Sequence, residues 1–462
     1  MGKIGLKDTI AAIATPAGES GIGIVRASGK KSLAIADKIF FARENKKPST
    51  FKAYSTHYGW IKKDQGGQII DEVILTVMRA PRSYTKEDVV EINCHGGIVA
   101  LRAVLDLVLD KGARLACPGE FTRRAFLNGR IDLPQAEAVL DIIRAKTDSA
   151  LRIGTQQLRG ALSGKVSKFR KGLLDVLSRL EANIDFPEEE IGSLDLRSVL
   201  RKLDRIKKEL SVMLEDSKFG MILREGVHAV ICGRANVGKS SLLNALLKQE
   251  RSIVTHIPGT TRDTVEEIID IKGIPIRIVD TAGILKPRDL IEKKALQRTK
   301  RFLDTADLAI LLFDGSQGLN KEDQLLIKKL KKKIALAVIN KIDLRQKIKR
   351  EKVEEQLGEI VDISAKRLKN IDKLEEAIAG LVYSGRLKGS QSFIVNNLRH
   401  IRALRRVHKS VEEAKKSLDN RLSLEFISQD IKDALGYLDD ILGKRFSGDL
   451  LDKIFNDFCI GK

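Results

Sequence analysis

The chain has 462 residues, enough for more than one domain, and 43% of them are hydrophobic while 31% are charged. This balance describes a soluble globular protein. The longest apolar runs, such as residues 308–313, are far too short to span a bilayer, and no signal-peptide layout precedes the short run 10–14. We therefore expect a cytoplasmic protein with no membrane partner. The four cysteines are scattered without a C-x-x-C pair, which argues against a disulfide framework or a zinc site.

The formal net charge is +21, which suggests a polyanionic partner, with nucleic acid as the first candidate. Basic residues are concentrated in 328–333 and 345–352, although such a run is by itself more typical of a solvated helix face. Aromatic residues make up only 5% of the chain, so its composition gives base stacking no support. The charge makes a nucleic-acid partner plausible without locating its binding site.

Residues 1–120 have the pattern of an α/β domain. Strands are expected at 21–26, 73–78 and 89–94, and the apolar spacing of 101–109 predicts a helix. Short strands with glycine-containing turns favour a compact mixed sheet.

The pattern is helical in 121–225 and again in 384–462. Apolar residues recur at spacings of three and four from Leu158 to Ile184, which predicts one long amphipathic helix, and the same period marks a second helix over 199–213. The period resumes over 398–418. We therefore expect one helical domain, interrupted by a nucleotide domain at 226–383.

The segment 233–240 reads GRANVGKS and fits the phosphate-loop pattern G-x-x-x-x-G-K-S. An apolar, β-branched segment precedes it at 227–232, as expected for a buried strand, and 241–247 has the pattern of a helix. Strand, glycine loop and helix N-terminus are the context in which this motif binds a polyphosphate.

Each polar or glycine position of the loop has an expected role. Gly233 and Gly238 allow the backbone to approach the phosphates, and Lys239 can reach the β- and γ-phosphates. The hydroxyl of Ser240 is the expected Mg²⁺ ligand.

Three further segments, each after an apolar strand, narrow the ligand to GTP. Residues 280–283, with Asp280 at the tip of strand 274–279, are expected at the Mg²⁺ ion and the γ-phosphate. In the N-K-I-D segment that follows strand 334–339, the ionised Asp343 only accepts hydrogen bonds, so it suits the N1–H and N2–H pair of guanine, which adenine lacks. The residues after strand 359–363 complete the expected base pocket; they are Ser364, Ala365 and Lys366.

Other segments spread along the chain are specific to one family. They are residues 14–16, 21–26, 83–91, 94–97, 118–130, 184–189 and the C-terminal 458–462, which reads FCIGK. With these segments the whole chain resembles the bacterial and organellar tRNA-modification GTPases of the MnmE (TrmE) type.

The resemblance implies an N-terminal folate-binding-like domain that forms a homodimer, a helical domain, and an inserted Ras-like P-loop G domain with a Rossmann-like mixed sheet. It also implies a heterotetramer with an FAD-binding subunit. With that partner, the family adds a carboxymethylaminomethyl-type group to C5 of the wobble uridine of certain tRNAs. The implied one-carbon donor is 5,10-methylene-tetrahydrofolate, whose 5-formyl analogue is expected to bind.

The family's folate contacts correspond to Arg26, Glu91, Arg130 and Lys462. Glu91 can accept hydrogen bonds from the amino and N3–H groups of the pterin, while the three cationic side chains suit carboxylates.

Ras-like proteins orient the attacking water with a glutamine just after D-T-A-G, but this chain has Ile284 there. The resemblance implies Glu292 as the catalytic residue, acting with Lys239, and a K⁺ ion in place of an arginine finger. It implies Thr261 as a second Mg²⁺ ligand beside Ser240. The implied K⁺ ligands are Asn236, Thr255, Ile257 and Thr260.

The motifs and the resemblance together give one expected GTP site. Its residues are Asn236, Val237, Gly238, Lys239, Ser240, Ser241, Thr255, His256, Ile257, Pro258, Gly259, Thr260, Thr261, Asp280, Thr281, Ala282, Gly283, Asn340, Lys341, Ile342, Asp343, Ser364, Ala365 and Lys366.

One other function is compatible with the nucleotide motifs alone, and a second is disfavoured by them. A GTP switch that assembles ribosomes shares all four of them, and the N-terminal domain and the C-terminal C-I-G-K argue for tRNA modification instead. A generic ATPase is disfavoured by Asn340 and Asp343.

Overall fold

The computed structural model describes residues 8–16, 18–64, 66–185, 195–249, 266–279, 306–330, 333–383 and 395–462. The chain divides into two units. The first comprises 1–140, 157–167 and 438–462, and the second comprises 141–156 and 168–437. In the part of the chain described here, none of the helices combines the length and the apolar composition needed to cross a membrane.

The described strands are β1 (Ile10–Ile13), β2 (Gly23–Ser28), β3 (Phe40–Ala42), β4 (Ser55–Lys62), β5 (Ile69–Met78), β6 (Val89–Cys94), β7 (Arg114–Leu115), β8 (Val227–Cys232), β9 (Glu266–Ile271), β10 (Ile274–Val279), β11 (Leu308–Asp314), β12 (Ala335–Asn340) and β13 (Ile360–Asp362).

The described helices are α1 (Ser32–Ile39), α2 (Ile98–Asp110), α3 (Glu120–Leu127), α4 (Leu133–Arg144), α5 (Asp148–Leu158), α6 (Ala161–Asp185), α7 (Leu196–Glu225), α8 (Lys239–Gln249), α9 (Lys321–Leu330), α10 (Arg350–Leu357), α11 (Ile371–Tyr383), α12 (Leu398–Asp419), α13 (Leu424–Leu442) and α14 (Gly448–Asn456).

The first unit is built on a seven-stranded mixed sheet in the order β3-β4-β5-β6-β2-β1-β7, antiparallel except for the β1–β7 pair. Val73, Leu75 and Val77 alternate along β5 toward a core shared with α1 and α2, as a period of two requires. The register pairs Arg26 of β2 with Glu91 of β6. Two residues distant in sequence are therefore neighbours on one face of the sheet.

The second unit contains a six-stranded sheet in the order β13-β12-β11-β8-β10-β9, in which only β9 is antiparallel. Both faces are covered. Along β8, Ala229 and Ile231 enter one core while Val230 and Cys232 enter the other. Strands that are buried on both faces are largely apolar along their whole length. For this reason the ends of the four strands that precede the nucleotide motifs were predicted to within one residue.

The predicted helix from Leu158 to Ile184 is confirmed from Ala161 onward, but the prediction is wrong for Leu158, which belongs to the preceding helix. Helix α5 ends at Leu158, and α6 begins at Ala161. Gly160 adopts φ +86°, and its N–H bonds the carbonyl of Gln157 at 2.9 Å, so a left-handed glycine stops the first helix. Leu158 and Leu162 are four residues apart, a spacing that also fits one continuous helix. The apolar period therefore did not reveal the break.

Helices α7 and α12 in the second unit pack side by side and antiparallel. Lys207 pairs with Glu412 at 3.1 Å. The Ser211 hydroxyl lies 2.9 Å from Nε2 of His408, one turn further along α7 and one turn earlier on α12. Because the apolar face of α12 is buried, its opposite face lies in solvent.

The first unit contains an arginine that is fully buried. The guanidinium of Arg124 meets Asp8 at 2.5 Å, Glu120 at 3.0 Å and Glu87 at 3.2 Å. Burial alone would raise the pKa of Glu120, but hydrogen bonds from Arg114, the Cys117 N–H and Arg124 outweigh it and lower that pKa. These ion pairs join α3 to the segments that carry Asp8 and Glu87.

We expect Arg124→Met to destabilise the first unit by about 3–5 kcal/mol, because it removes a buried cation that three carboxylates share and leaves Glu87 without an ion pair among the described residues. The chain has a single tryptophan, Trp60 on β4, so its fluorescence during urea unfolding reports on this unit. Arg102→Met, on the exposed side of α2, is the matched control and should leave the midpoint unchanged. Equal midpoints for the two variants would show that the buried network does not stabilise the unit.

Candidate functional site

The glycines of the phosphate loop are required by their packing. Gly233 has φ +149°, and a Cβ there would lie 2.4 Å from the carbonyl oxygen of Leu312 on β11. Gly238 has φ +101°, and its Cβ would lie 2.4 Å from Nδ2 of Asn340. Any side chain at either position would push the loop away from its neighbours, so the glycines fix the loop over the carboxyl ends of the strands.

The lysine of the loop folds back over its backbone. Nζ of Lys239 donates to the carbonyl oxygens of Gly233 at 2.9 Å and Arg234 at 2.8 Å. Helix α8 begins at this residue, so the next side chain, the exposed Ser240, lies in the first helical turn. The loop N–H groups, the helix N-terminus and an ammonium group thus converge where a polyphosphate would bind.

Asn340 connects the phosphate loop to the predicted base pocket. Its Nδ2 donates to the carbonyl of Val237 at 2.8 Å, and its Oδ1 accepts from the N–H of Ala365 at 3.0 Å. The residue is only 3% exposed. Both ends of the amide are therefore used within the protein, and three segments distant in sequence are tied together.

Lys341 makes a second connection of the same kind. It has φ +66°, and its Nζ donates to the carbonyl of Asn236 at 2.8 Å and to Asp314 at 2.7 Å. Burial would raise the pKa of Asp314, but hydrogen bonds from Lys341 and Ser316 outweigh it, so this pKa lies below its ordinary value.

Asp314 was not predicted as a site residue. It ends the apolar strand β11, and a carboxylate at the tip of a parallel strand is the signal that singled out Asp280. The same rule, applied to every apolar strand of the nucleotide domain, would have found it.

Asp343 has the charge and the exposure that guanine recognition needs. Its Oδ1 accepts from the hydroxyl of Ser364 at 2.6 Å, and this hydrogen bond is the main cause of its lowered pKa. The carboxylate is thus ionised at neutral pH and can accept from two N–H groups at once. The structure brings the predicted segments 340–343 and 364–366 together beside the phosphate loop.

Part of the predicted GTP site lies outside the described residues. These residues are Thr255, His256, Ile257, Pro258, Gly259, Thr260, Thr261, Asp280, Thr281, Ala282, Gly283 and Glu292. Their roles stay predictions.

Three of the four predicted folate residues cluster around one arginine in the first unit. Nε of Arg26 bonds Glu91 at 2.7 Å, and its Nη1 donates to the carbonyl of Gly461 at 3.1 Å. The next residue, Lys462, accepts from the N–H of Phe121 at 3.2 Å. The C-terminal residues are thus held beside the β2–β6 pair, as a shared site requires.

The fourth residue, Arg130, joins this group through aromatic rings. Its guanidinium lies 4.9 Å from the ring centre of Tyr84, and that of Arg26 lies 5.7 Å from the ring centre of Phe121. Burial raises the pKa of Tyr84, while its hydrogen bond with Thr122 and the charges of both arginines oppose the rise. Tyr84 was missed as a candidate because nothing in the sequence places its ring under an arginine.

The fold and these contacts define a P-loop nucleotide-binding protein whose other unit is an α/β domain with a cluster of cationic side chains. Residues 9–130 match the family model described as GTP-binding protein TrmE N-terminus, and 133–459 match that of the MnmE helical domain. The chain therefore belongs to the MnmE family.

Curated relatives match over their whole length. The chain is 46% identical to the tRNA modification GTPase MnmE of Alkaliphilus metalliredigens and 45% identical to that of Clostridioides difficile, each over 99% of this chain and 100% of the relative. For the Bacillus subtilis protein of the same name the values are 43%, 98% and 100%. A crystal structure of Aquifex aeolicus Era with GDP and AlF₄⁻ is 30% identical over 40% of this chain and 66% of that chain, with a TM-score of 0.28.

We expect Asp343→Asn to lower the affinity for GDP about 100-fold, because an amide N–H would face the N–H groups of guanine and the charge-assisted hydrogen bonds would be lost. Xanthosine diphosphate, which offers an acceptor there, should bind the variant better than GDP does. Calorimetric titration of both nucleotides measures the two effects.

Asp362→Asn, at the end of the neighbouring strand β13, is the matched control and should keep the preference for GDP. Unchanged GDP affinity in Asp343→Asn would refute the assignment of the guanine contact.

Proposed function

We propose that this chain is a K⁺-stimulated GTPase that works with an FAD-dependent partner to install a carboxymethylaminomethyl-type group at C5 of the wobble uridine of certain tRNAs. The chain is a GTP hydrolase of the MnmE family of tRNA modification GTPases. The observation that carries the proposal is the 46% identity to such a relative over 99% of this chain and 100% of that protein. The match of residues 9–130 to the family's N-terminal model favours it over a ribosome-assembly switch.

Mg²⁺ would be held by Ser240, with Thr261 as the second proposed ligand. The Ser240 hydroxyl is exposed in the first turn of α8, and no side chain among the described residues bonds it, so its oxygen is available to a hard cation. The ion would neutralise charge on the β- and γ-phosphates. Lys239 would bind the same phosphates from the loop side once its ammonium group leaves the two loop carbonyls.

K⁺ would be held by Asn236, together with Thr255, Ile257 and Thr260. Asn236 is exposed at the tip of the phosphate loop with φ +62°, and within the described segments its side chain has no bonding partner. Its backbone is fixed because the carbonyl accepts from Lys341, so the amide oxygen is presented from a defined position. Such an ion would supply positive charge at the phosphates, a role that arginine fingers have in other GTPases.

Glu292 is the proposed catalytic residue, since Ile284 has no polar atom with which to orient water. The proposal rests on the family resemblance, because both residues lie outside the described part of the chain. A carboxylate can accept a proton or a hydrogen bond from the attacking water.

The one-carbon donor would be 5,10-methylene-tetrahydrofolate, bound in the first unit. Arg26 and Glu91 pair with each other at 2.7 Å and both remain partly exposed, so each keeps atoms available to a ligand. In this proposal Glu91 accepts from the pterin, while Arg26, Arg130 and Lys462 meet carboxylates. The stacking of Arg130 on Tyr84 supports a cation held in place before the ligand binds.

The proposed assembly is a homodimer through the folate-binding domain at 1–120, joined by an FAD-binding subunit into a heterotetramer in the cytoplasm. The helical domain would comprise 121–225 and 384–462, with the G domain at 226–383 inserted between them. This division follows the sequence pattern, whereas the two units of the structure group parts of the helical segments with the first sheet.

Mass spectrometry of tRNA nucleosides tests the proposed function directly. A strain that lacks this chain should lose the carboxymethylaminomethyl-type wobble uridine, and the wild-type gene should restore it. A Lys239→Ala variant should fail to restore it, whereas the Arg102→Met control should succeed. Unchanged nucleosides in the deletion strain would overturn the proposal.

Hydrolysis should be at least about tenfold faster in K⁺ than in Na⁺, because the monovalent ion would take a role that in other GTPases is worth ~10³–10⁵-fold. Asn236→Ala should lose most of this difference yet still bind GDP. Glu292→Ala should hydrolyse poorly yet still dimerise with GDP and aluminium fluoride in K⁺. Steady-state phosphate release and size-exclusion chromatography measure these effects, and equal rates in the two salts would remove the ion from the mechanism.

Deleting Lys462 should weaken binding of 5-formyl-tetrahydrofolate by about tenfold, the loss of one charge-assisted contact, and leave GDP binding intact. Calorimetry with each ligand separates the two sites. Lys462→Arg keeps the charge and should bind folate better than the truncated chain. Equal folate affinity with and without the residue would exclude Lys462 from the site.

A further inference from the structure

One stretch of helix α12 is strongly cationic. Residues 398–409 contain five lysines and arginines and no acidic residue. Neither of the basic runs noted above includes it, and neither nucleotide nor folate binding, as proposed here, uses it. The cations are Arg399, Arg402, Arg405, Arg406 and Lys409.

Four of these residues form a continuous row. Arg402, Arg405, Arg406 and Lys409 are related by steps of three and four along the helix, so they lie on one face over a length of about 10 Å. All four are exposed. We call them the four-cation row.

The four-cation row is held on a rigid support. The opposite face of α12 is buried through Ile401, Leu404 and Val407, and the helix is pinned to α7 by the Lys207–Glu412 pair at 3.1 Å. A docked helix of 22 residues fixes the backbone beneath the row. The cations therefore have a defined spacing before any partner arrives.

Little within the described structure neutralises the row. Arg402 and Arg405 have no ion pair or hydrogen bond to a side chain in the described ranges. Arg406 lies 5.6 Å from the ring centre of Tyr437, which leaves its charge in place, and only Lys409 has an acid, the exposed Glu413 at 3.4 Å. Like charges at these spacings repel one another and destabilise a helix. An external polyanion would relieve that repulsion.

We propose that the four-cation row is a docking surface for the phosphate backbone of the tRNA on which the enzyme acts. This inference rests on the proposed function and adds a location for the RNA. Arginine and lysine supply many protein contacts to nucleic-acid phosphates, and such contacts fix the position of a nucleic acid without reading its sequence. The row positions the substrate, and base recognition lies elsewhere.

The composition of the row favours RNA over an acidic protein. Protein interfaces have a core that is depleted of charge and enriched in aromatic and apolar anchors. All four positions of the row are cationic and none supplies such an anchor, whereas nucleic-acid interfaces are polar and strongly positive. The net charge of +21 adds a long-range attraction for the same partner.

The test compares two triple variants of the full-length protein. R402Q/R405Q/K409Q removes three cations from the row and keeps Arg406 on its ring, and glutamine has nearly the helix propensity of arginine. K347Q/K349Q/K352Q removes three exposed cations from the basic run 345–352 and is the matched control for net charge. GTP hydrolysis without tRNA should be unchanged in the helix variant, which also checks that it folds.

Binding of a labelled, unmodified tRNA transcript is measured by fluorescence anisotropy over a series of KCl concentrations. Each lost phosphate contact should reduce the slope of log affinity against log salt by about one, so the helix variant should lose about three and bind at least about tenfold more weakly. The control variant should keep the wild-type slope. R402K/R405K, which keeps the charges, should bind nearly as the wild type does.

Each other outcome is decisive. Equal tRNA affinity and slope in the helix variant and the wild type would overturn the inference and leave the proposed function intact. An equal loss of tRNA affinity in both triple variants would show that the net charge of the protein, and not the four-cation row, attracts the tRNA. This result would also overturn the inference. Normal tRNA binding with lost assembly with the FAD-binding subunit would identify the row as a protein surface. Absence of tRNA binding by the wild type would overturn the inference, whereas the proposed function is decided separately by the tRNA nucleosides of the deletion strain.

Discussion

The nucleotide site depends on one buried amide. Asn340 bonds the phosphate loop through the carbonyl of Val237 and the base pocket through the N–H of Ala365. Without it, two buried backbone groups would lose their partners, at a cost of about 1–3 kcal/mol each. Gly238 is glycine because this amide lies against it. The predicted base pocket and the phosphate loop are therefore connected by one set of contacts.

Charge is used in two opposite ways along the chain. Arg124 is buried among three carboxylates, where breaking the network leaves uncompensated charge and costs several kcal/mol. The row on α12 is exposed and has few ion pairs with the residues that the structure describes, and exposed ion pairs contribute only ~0–1 kcal/mol to stability. The buried charge of Arg124 holds the fold together, whereas the exposed charges of the row on α12 are available to a partner. Arg26 combines both situations, since it is paired with Glu91 and still partly exposed.

The sequence predicted those features that depend on local pattern. Strand β8 and the loop after it follow from a buried apolar run with glycines at fixed positions, and both lie where they were expected. The break at Gly160 was missed because apolar spacing is the same on either side of it. The Arg26–Glu91 pair depends on the register of two strands 65 residues apart, so only the family resemblance indicated it. The ring of Tyr84 beneath Arg130 had no local signal at all.

Hydrogen exchange in the nucleotide-free protein tests most directly whether Asn340 joins the two halves of the site. In Asn340→Ala, amide exchange should accelerate both in the phosphate-loop segment 233–240 and in the segment 360–366, and GDP affinity should fall. Asp362→Asn should leave exchange in 233–240 at the wild-type rate. If GDP affinity falls in Asn340→Ala while exchange in both segments stays at the wild-type rate, Asn340 acts only on the bound nucleotide and does not join the two halves of the site.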